Sequence, residues 1–267
     1  MKQRLSADAF WMNSASSVHR VGHMIPRLFF VLFLALATFT ARAEEGFIPL
    51  FNGKDLSGWE GDPALWKVDD GIITGTCTGP GTPPHNDFLI WRGGILKDFE
   101  LRVTARVKGD NNSGIQYRSS PLPEVGPWAI TGYQCDIHPA TEHLGMTYEE
   151  KGRGIFGLNG QSVIVDRDGQ RWLEATHGPA EADVAEWNDY TIIARGNHLI
   201  HLVNGRMTSQ MTDYDKKSRA LEGLLALQLH SGNANTVEIR SIDLKIISDA
   251  AGKHLTEENI PDTATKI

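Results

Sequence analysis

Three separated segments of this chain alternate oily and polar side chains residue by residue, the signature of β-strands buried on one face. In Gly132-Tyr-Gln-Cys-Asp-Ile-His138, Tyr133, Cys135 and Ile137 fall on one side and Gln134, Asp136 and His138 on the other. In Leu224-Leu-Ala-Leu-Gln-Leu-His230 the apolar row is Leu225, Leu227 and Leu229, and Gln228 and His230 lie opposite. The same period in Ser113-Gly-Ile-Gln-Tyr-Arg118 puts Gln116 and Arg118 on one face. A plain solvent face more often carries Lys, Glu or Thr. With the three strands as neighbours in one sheet, Gln116, Arg118, Gln134, Asp136, His138, Gln228 and His230 converge on a single polar floor.

The rest of the pattern is also that of strands. Phe88–Trp91, Phe99–Val107, Ser162–Val165, Tyr190–Ala194, His198–Val203 and Val237–Ile247 read as extended, and Glu100, Arg102, Thr104 and Arg106 form an ordinary outer face. Turn chemistry such as Asn52-Gly53, Asp70-Gly71, Asp168-Gly169 and Asn204-Gly205 interrupts them every few residues, which predicts an all-β sandwich or barrel. The apolar parity switches between Ile239 and Ile242, predicting a bulge near Arg240 or Ser241. Short helices are conceivable only near Glu181–Glu186 and Asp215–Leu221. Two Pro- and Gly-rich loops, Thr76–Asn86 and Ser119–Thr131, have the length of binding-site walls.

Residues 28–40 form an apolar run preceded by Arg20 and Arg27 and followed by Ala41-Arg42-Ala43, a secretory leader with its cleavage motif. The run is shorter than the roughly 20 residues that span a bilayer, so no membrane span is expected after cleavage, and the mature protein is expected to be secreted or periplasmic. Residues 44–248 then make one domain and 249–267 a loosely held tail without hydrophobic pattern. The full chain has 26 basic and 33 acidic side chains; removing residues 1–43 takes five basic and one acidic, leaving a net charge of −11, which disfavours nucleic acid as a partner. The two cysteines, Cys77 and Cys135, allow one bridge or two buried thiols. The oligomeric state is not legible.

Neutral amides, an arginine fork and a carboxylate acceptor suit a ligand whose hydroxyls both donate and accept, so a small carbohydrate is the expected partner. A blander reading makes Gln116 and Gln228 solvated strand residues and pairs Arg118 with Asp136 across strands. A second polar cluster, Tyr148-Glu149-Glu150-Lys151-Gly152-Arg153, contributes Tyr148, Glu149 and Arg153 as candidates, and Trp91 is a candidate stacking surface at a strand end. No metal site and no cofactor are expected: His198 and His201 lie on opposite faces of their strand, and no H-E-x-x-H, EF-hand, P-loop or G-x-S-x-G motif occurs, with an ion held by Asp136, His138 or His230 the open alternative. Closely spaced acidic pairs of the kind that flank a glycosidic bond are also lacking on any one strand.

Phe47-Ile-Pro-Leu-Phe-Asn-Gly-Lys-Asp-Leu-Ser-Gly-Trp59, Trp66-Lys-Val-Asp-Asp-Gly-Ile-Ile73 and Asp98-Phe-Glu-Leu101 resemble the opening of the 3-keto-disaccharide hydrolase domain family. The resemblance continues through Asn112–Arg118, Gly132–Asp136, Trp187-Asn188, Val203-Asn-Gly205 and Gly223–His230, covering residues 46–247. It implies a concanavalin A-like jelly roll of two curved antiparallel sheets and a hydrolase acting on glycosides with a ketone at C3. Many members carry a glutamate where this chain has Gln134, which leaves Asp136 as the carboxylate of that strand. A C3 ketone acidifies the C2 hydrogen, so one base, one acid and donors for the developing enolate suffice for elimination of the C1 substituent followed by water addition. On this basis Asp136 or His230 is the expected base and His138 or Glu149 the proton donor. Arg118 and Gln134 hold the C3 oxygen or nearby hydroxyls, and Gln228 orients the ring. The alternative is a non-catalytic, lectin-like carbohydrate-binding module built on the same floor.

Overall fold

The computed structural model describes residues 46–248 and 255–267; the leader expected in residues 1–43 lies outside them. Eighteen strands follow one another among the described residues. The first six are β1 (Ile48–Pro49), β2 (Trp59–Glu60), β3 (Trp66–Asp69), β4 (Ile72–Cys77), β5 (Asp87–Trp91) and β6 (Phe99–Gly109). Then come β7 (Ser113–Pro121), β8 (Ile130–Ile137), β9 (Thr147–Glu150), β10 (Gly154–Gly157), β11 (Gln161–Val165) and β12 (Arg171–Thr176). The last are β13 (Asn188–Arg195), β14 (His198–Val203), β15 (Arg206–Asp213), β16 (Leu224–Leu229), β17 (Asn235–Ile246) and β18 (Thr265–Lys266). One 3₁₀ turn, Thr141–His143, is the only helical element described, and the two short helices expected near 181–186 and 215–221 are turns instead.

The strands form a jelly-roll sandwich. An eleven-stranded sheet runs β18-β12-β11-β15-β14-β13-β6-β17-β4-β3 with β1 added against β17, and a seven-stranded sheet runs β10-β9-β8-β7-β16-β5-β2. All pairs are antiparallel except β11 with β15, which are parallel. The alternation in the sequence explains the layering: β6 buries Phe99, Leu101, Val103, Ala105 and Val107, while its intervening residues stay half-exposed on the outer side. Facing that row from the smaller sheet are Tyr133, Cys135 and Ile137 of β8 and Leu225, Leu227 and Leu229 of β16, all buried. The bulge expected in β17 is present, the register shifting between Ile239 and Ser241. Cys77 and Cys135 are both buried free thiols.

A polar contact ties the sheets together through this core. Tyr117 Oη meets His201 Nε2 at 2.8 Å, and burial drives the His201 pKa down to about 4, so the imidazole is neutral at ordinary pH. The C-terminal residues are not loosely held as expected: Thr265–Lys266 pair with Leu173 and Trp172 of β12, Thr256 donates to Asn197, and Arg167 pairs with Glu258. Backbone pairing satisfies the edge of β12, a role that needs no hydrophobic pattern and so left none to read. No helix among the described residues is long and apolar enough to cross a membrane.

Candidate functional site

The face of the smaller sheet turned away from the core carries the polar floor. Directly opposed residues in an antiparallel ladder share a face, and the register sets Gln116 beside Gln134, Gly114 beside Asp136, Gln134 beside Tyr148, and Ala226 beside Gln116. A cleft of about 510 Å³ opens above them, within the size range of small-molecule sites. Gln134, Asp136, His138, Tyr148, Gln228 and His230 all line it, as the alternation predicts. The expected loop wall is there too: Pro84, His85 and Asn86 close one side.

A chain of hydrogen bonds crosses the floor between two carboxylates. Gln134 Nε2 donates to Asp136 Oδ1 at 2.6 Å and lies 3.5 Å from Gln228 Oε1. Gln228 Nε2 in turn donates to Glu150 Oε2 at 3.3 Å, and Asn86 Nδ2 donates to both oxygens of Glu150 at 3.2 and 3.3 Å. Asn86 is itself held by Ser231, whose backbone N–H donates to Asn86 Oδ1 at 3.1 Å. Burial raises the Asp136 pKa to about 7, against the hydrogen bond from Gln134 and with help from the negative charge of Glu150. Burial also raises Glu150, opposed by its bond from Asn86. Asp136 therefore exchanges a proton near neutrality.

The imidazoles are oriented by the backbone. His230 Nδ1 lies 2.6 Å from the Ser231 carbonyl, which accepts only from a protonated nitrogen, so the neutral ring keeps its lone pair on Nε2. His138 is held the other way: the Ala140 N–H donates to its Nδ1 at 3.0 Å, leaving the proton on Nε2. Burial, and then the neighbouring His143 ring, lower the His138 pKa. One imidazole is thus presented as an acceptor and the other as a donor.

Five candidates lie elsewhere. Arg118 adopts a left-handed backbone (φ 49°) at a bulge between Tyr117 and Ser120, so the parity that joined it to Gln116 is broken. Its guanidinium turns away from the floor and pairs with Asp98 at 3.1 Å, not with Asp136. Glu149 occupies the core-facing parity of β9 and binds Arg153 at 2.8 Å; Arg153 reaches on to Asp213 at 2.8 Å and to the Tyr133 hydroxyl at 3.1 Å, an ion-pair cluster between the sheets. Trp91 sits on the core side of β5 opposite Trp59 and packs against the main core. Gln116 shares the floor's parity but is completely buried beneath it, its amide making no hydrogen bond. Glu150 and Asn86 are the residues the sequence reading missed. Tyr148 and Glu150 share a face by period two, and that signal was available once 147–150 was read as a strand. Asn86 belongs to a loop and carries no periodic signal. Among the described residues no group of three His, Cys, Asp or Glu side chains is arranged to hold a metal ion.

The profile of a 3-keto-alpha-glucoside-1,2-lyase-like domain matches residues 46–245, three quarters of the chain and all of the floor. The chain belongs to that family. A 3-keto-disaccharide hydrolase of Bacteroides thetaiotaomicron is 34% identical over 84 residues, a match that spans 27% of this chain and 27% of the relative. Two solved structures of provisionally assigned glycosyl hydrolases from Parabacteroides distasonis share the fold at 18% identity. One has a TM-score of 0.54 over 76% of this chain and 95% of its own, the other 0.50 over 75% and 99%. The family and the jelly roll agree with the resemblance read from the motifs, and the family is one that acts on carbohydrates.

Proposed function

We propose that this protein cleaves glycosides of 3-keto-glucose by elimination across C1 and C2. The observation that carries the reading is the pairing, in one cleft, of a carboxyl titrating near pH 7 with an imidazole whose Nε2 lone pair is free. His230 Nε2 takes the C2 proton, and the electron pair moves into the C3 carbonyl as an enolate. The Nε2–H of His138 donates to the charge developing on the C3 oxygen. The enolate collapses to a C1=C2 double bond as the C1–O bond breaks, and protonated Asp136 gives its proton to the departing oxygen. Water then adds at C1, returning a proton to Asp136, while His230 returns the proton to C2; the net change is hydrolysis. The elimination is the step a lyase is named for, and elimination plus water addition is the reaction a hydrolase is named for.

The decisive test is incubation with a 3-keto-glucoside and with its unoxidised counterpart in D₂O. Aglycone release and deuterium incorporation at C2 are expected with the ketone alone, and both should be lost in His230→Gln. Inertness toward both glycosides sinks the reading, and binding of sugar without release would return the chain to a lectin-like role.

The Gln134 amide depends on a neighbour without a side chain. A Cβ at Gly114 would lie 2.4–2.6 Å from the Gln134 carboxamide, far inside contact distance. Gly114→Ala is expected to drive that amide off Asp136 and to lower kcat/KM by roughly 10- to 100-fold, the scale of an ångström-sized misplacement. Activity within twofold of the parent, in a variant with unchanged thermal stability, would show that the Gln134–Asp136 bond is not part of the working geometry.

A further inference from the structure

The cleft lining is mostly polar, and its two large aliphatic side chains, Met146 and Ile155, belong to the segment before β9 and to β10. We infer, on the basis of the elimination reading above, that its wall at the β10 edge receives the leaving group and that this group is a flat apolar aglycone, an aryl ring, and not a second sugar. The ladder sets Ile155 of β10 directly opposite Tyr148 of β9, and Tyr148 directly opposite Gln134 of β8. Directly opposed residues share a face, so Ile155, Tyr148 and Gln134 form one row running from the sheet edge down to the floor.

Ile155 and Tyr148 line the cleft together with Met146. Ile155 is 38% exposed, an aliphatic side chain on an edge strand where charge is the usual protection against unwanted pairing. The polar side chains that β9 and its turn to β10 bring to the cleft are the Tyr148 hydroxyl, Glu150, whose carboxylate already accepts from Asn86 and Gln228, and the solvent-exposed Lys151. The hydroxyls of a second sugar would lose water against this wall and find few partners. An aromatic ring instead stacks on Tyr148 and covers Ile155 at no polar cost. The rest of the lining, with Asn112, His138, His230 and Ser231, offers what the keto-sugar requires. The polarity of the cleft therefore orients the substrate, with the sugar inward and the aglycone toward the open edge.

The test compares phenyl, methyl and glucosyl 3-keto-glucosides with the full protein and with Ile155→Ser, an exposed substitution outside the catalytic groups. The parent is expected to prefer phenyl over glucosyl by roughly 10-fold or more in kcat/KM, and Ile155→Ser to lose about 10-fold on phenyl while leaving methyl unchanged, the range set by an apolar contact in a pocket. Equal or better cleavage of the glucosyl substrate, or a uniform loss on all three in the variant, overturns the inference. Should none of the three be cleaved, the elimination reading fails and calorimetry decides the shelf alone. Phenyl 3-keto-glucoside is then expected to bind the parent roughly 10-fold tighter than Ile155→Ser, and equal affinities refute the inference.

Discussion

Asp136→Asn is expected to slow turnover at neutral pH by roughly 10²-fold or more and, at the same time, to make the fold more stable than the parent at pH 8. Both results follow from one burial. The carboxyl of Asp136 titrates at about 7 in the fold and at 3.8 when exposed, because the cleft floor penalises its charge more than Gln134 relieves it. Between those values the unfolded chain has released a proton that the native state retains, so stability falls as pH rises from 3.8 and the loss is complete above 7. The gap between the two values corresponds to about 4 kcal/mol. Asparagine has no proton to release and still accepts from Gln134 Nε2 through its own carbonyl. The stability difference between variant and parent should therefore be about 4 kcal/mol larger at pH 8 than at pH 4, read from denaturant unfolding at the two values. A difference independent of pH would show that Asp136 is ionised without penalty. On the catalytic side, removal of a general acid costs roughly 10²- to 10⁴-fold. Wild-type rates in the variant would move the acid role elsewhere, with Glu150 the remaining carboxyl in the cleft. A stabilised, slowed variant is the signature of a site that holds a destabilising group for use.

Where the backbone stays regular, the site was readable from side-chain type alone. Gln134 and Asp136, and likewise Gln228, sit on the face that period two assigns, and His138 and His230 continue those faces past the strand ends into the cleft. The parity switch in β17 was equally visible because an extra residue shifts every following apolar side chain. The failures cluster where the period is interrupted or unrecognised. Arg118 is one residue beyond the last regular pair of its strand, and a left-handed turn of the backbone sends it to the other side of the sheet. The charges of 148–153 show no apolar alternation of their own; as strand β9 the pair splits into a core-facing Glu149 and a cleft-facing Glu150. Trp91 follows the same rule, its parity being that of Leu89 and the core. Asn86 depends on a loop conformation and β18 on a pairing between distant segments, neither of which local pattern encodes.

Arg118→Met is expected to destabilise the fold by about 3–5 kcal/mol while leaving the KM of the surviving folded protein unchanged. The guanidinium is almost fully buried and donates Nε and Nη2 to the Lys97 carbonyl at 3.0 and 2.7 Å and Nη1 to the Gly196 carbonyl at 2.6 Å. Its contact with Asp98 joins the start of β6 to the turn between β13 and β14, since the same Asp98 oxygen accepts the Gly196 N–H at 2.9 Å. The backbone can pass this closely only because residue 223 is glycine: a Cβ there would lie 2.3 Å from the Arg118 carbonyl carbon. Methionine fills similar volume but leaves the Lys97, Gly196 and Ala220 carbonyls short of donors and a buried carboxylate without its cation, the arrangement that makes removal of one partner costlier than removal of both. At roughly 2–4 °C per kcal/mol for a domain of this size, the melting temperature should fall by about 10 °C or more in calorimetry. The double variant Arg118→Met with Asp98→Asn should recover part of that loss, because the stranded charge is gone. The opposite pattern, intact stability with a raised KM for the keto-glycoside, would put this arginine back on the sugar and require a different path for the chain between Tyr117 and Ser120.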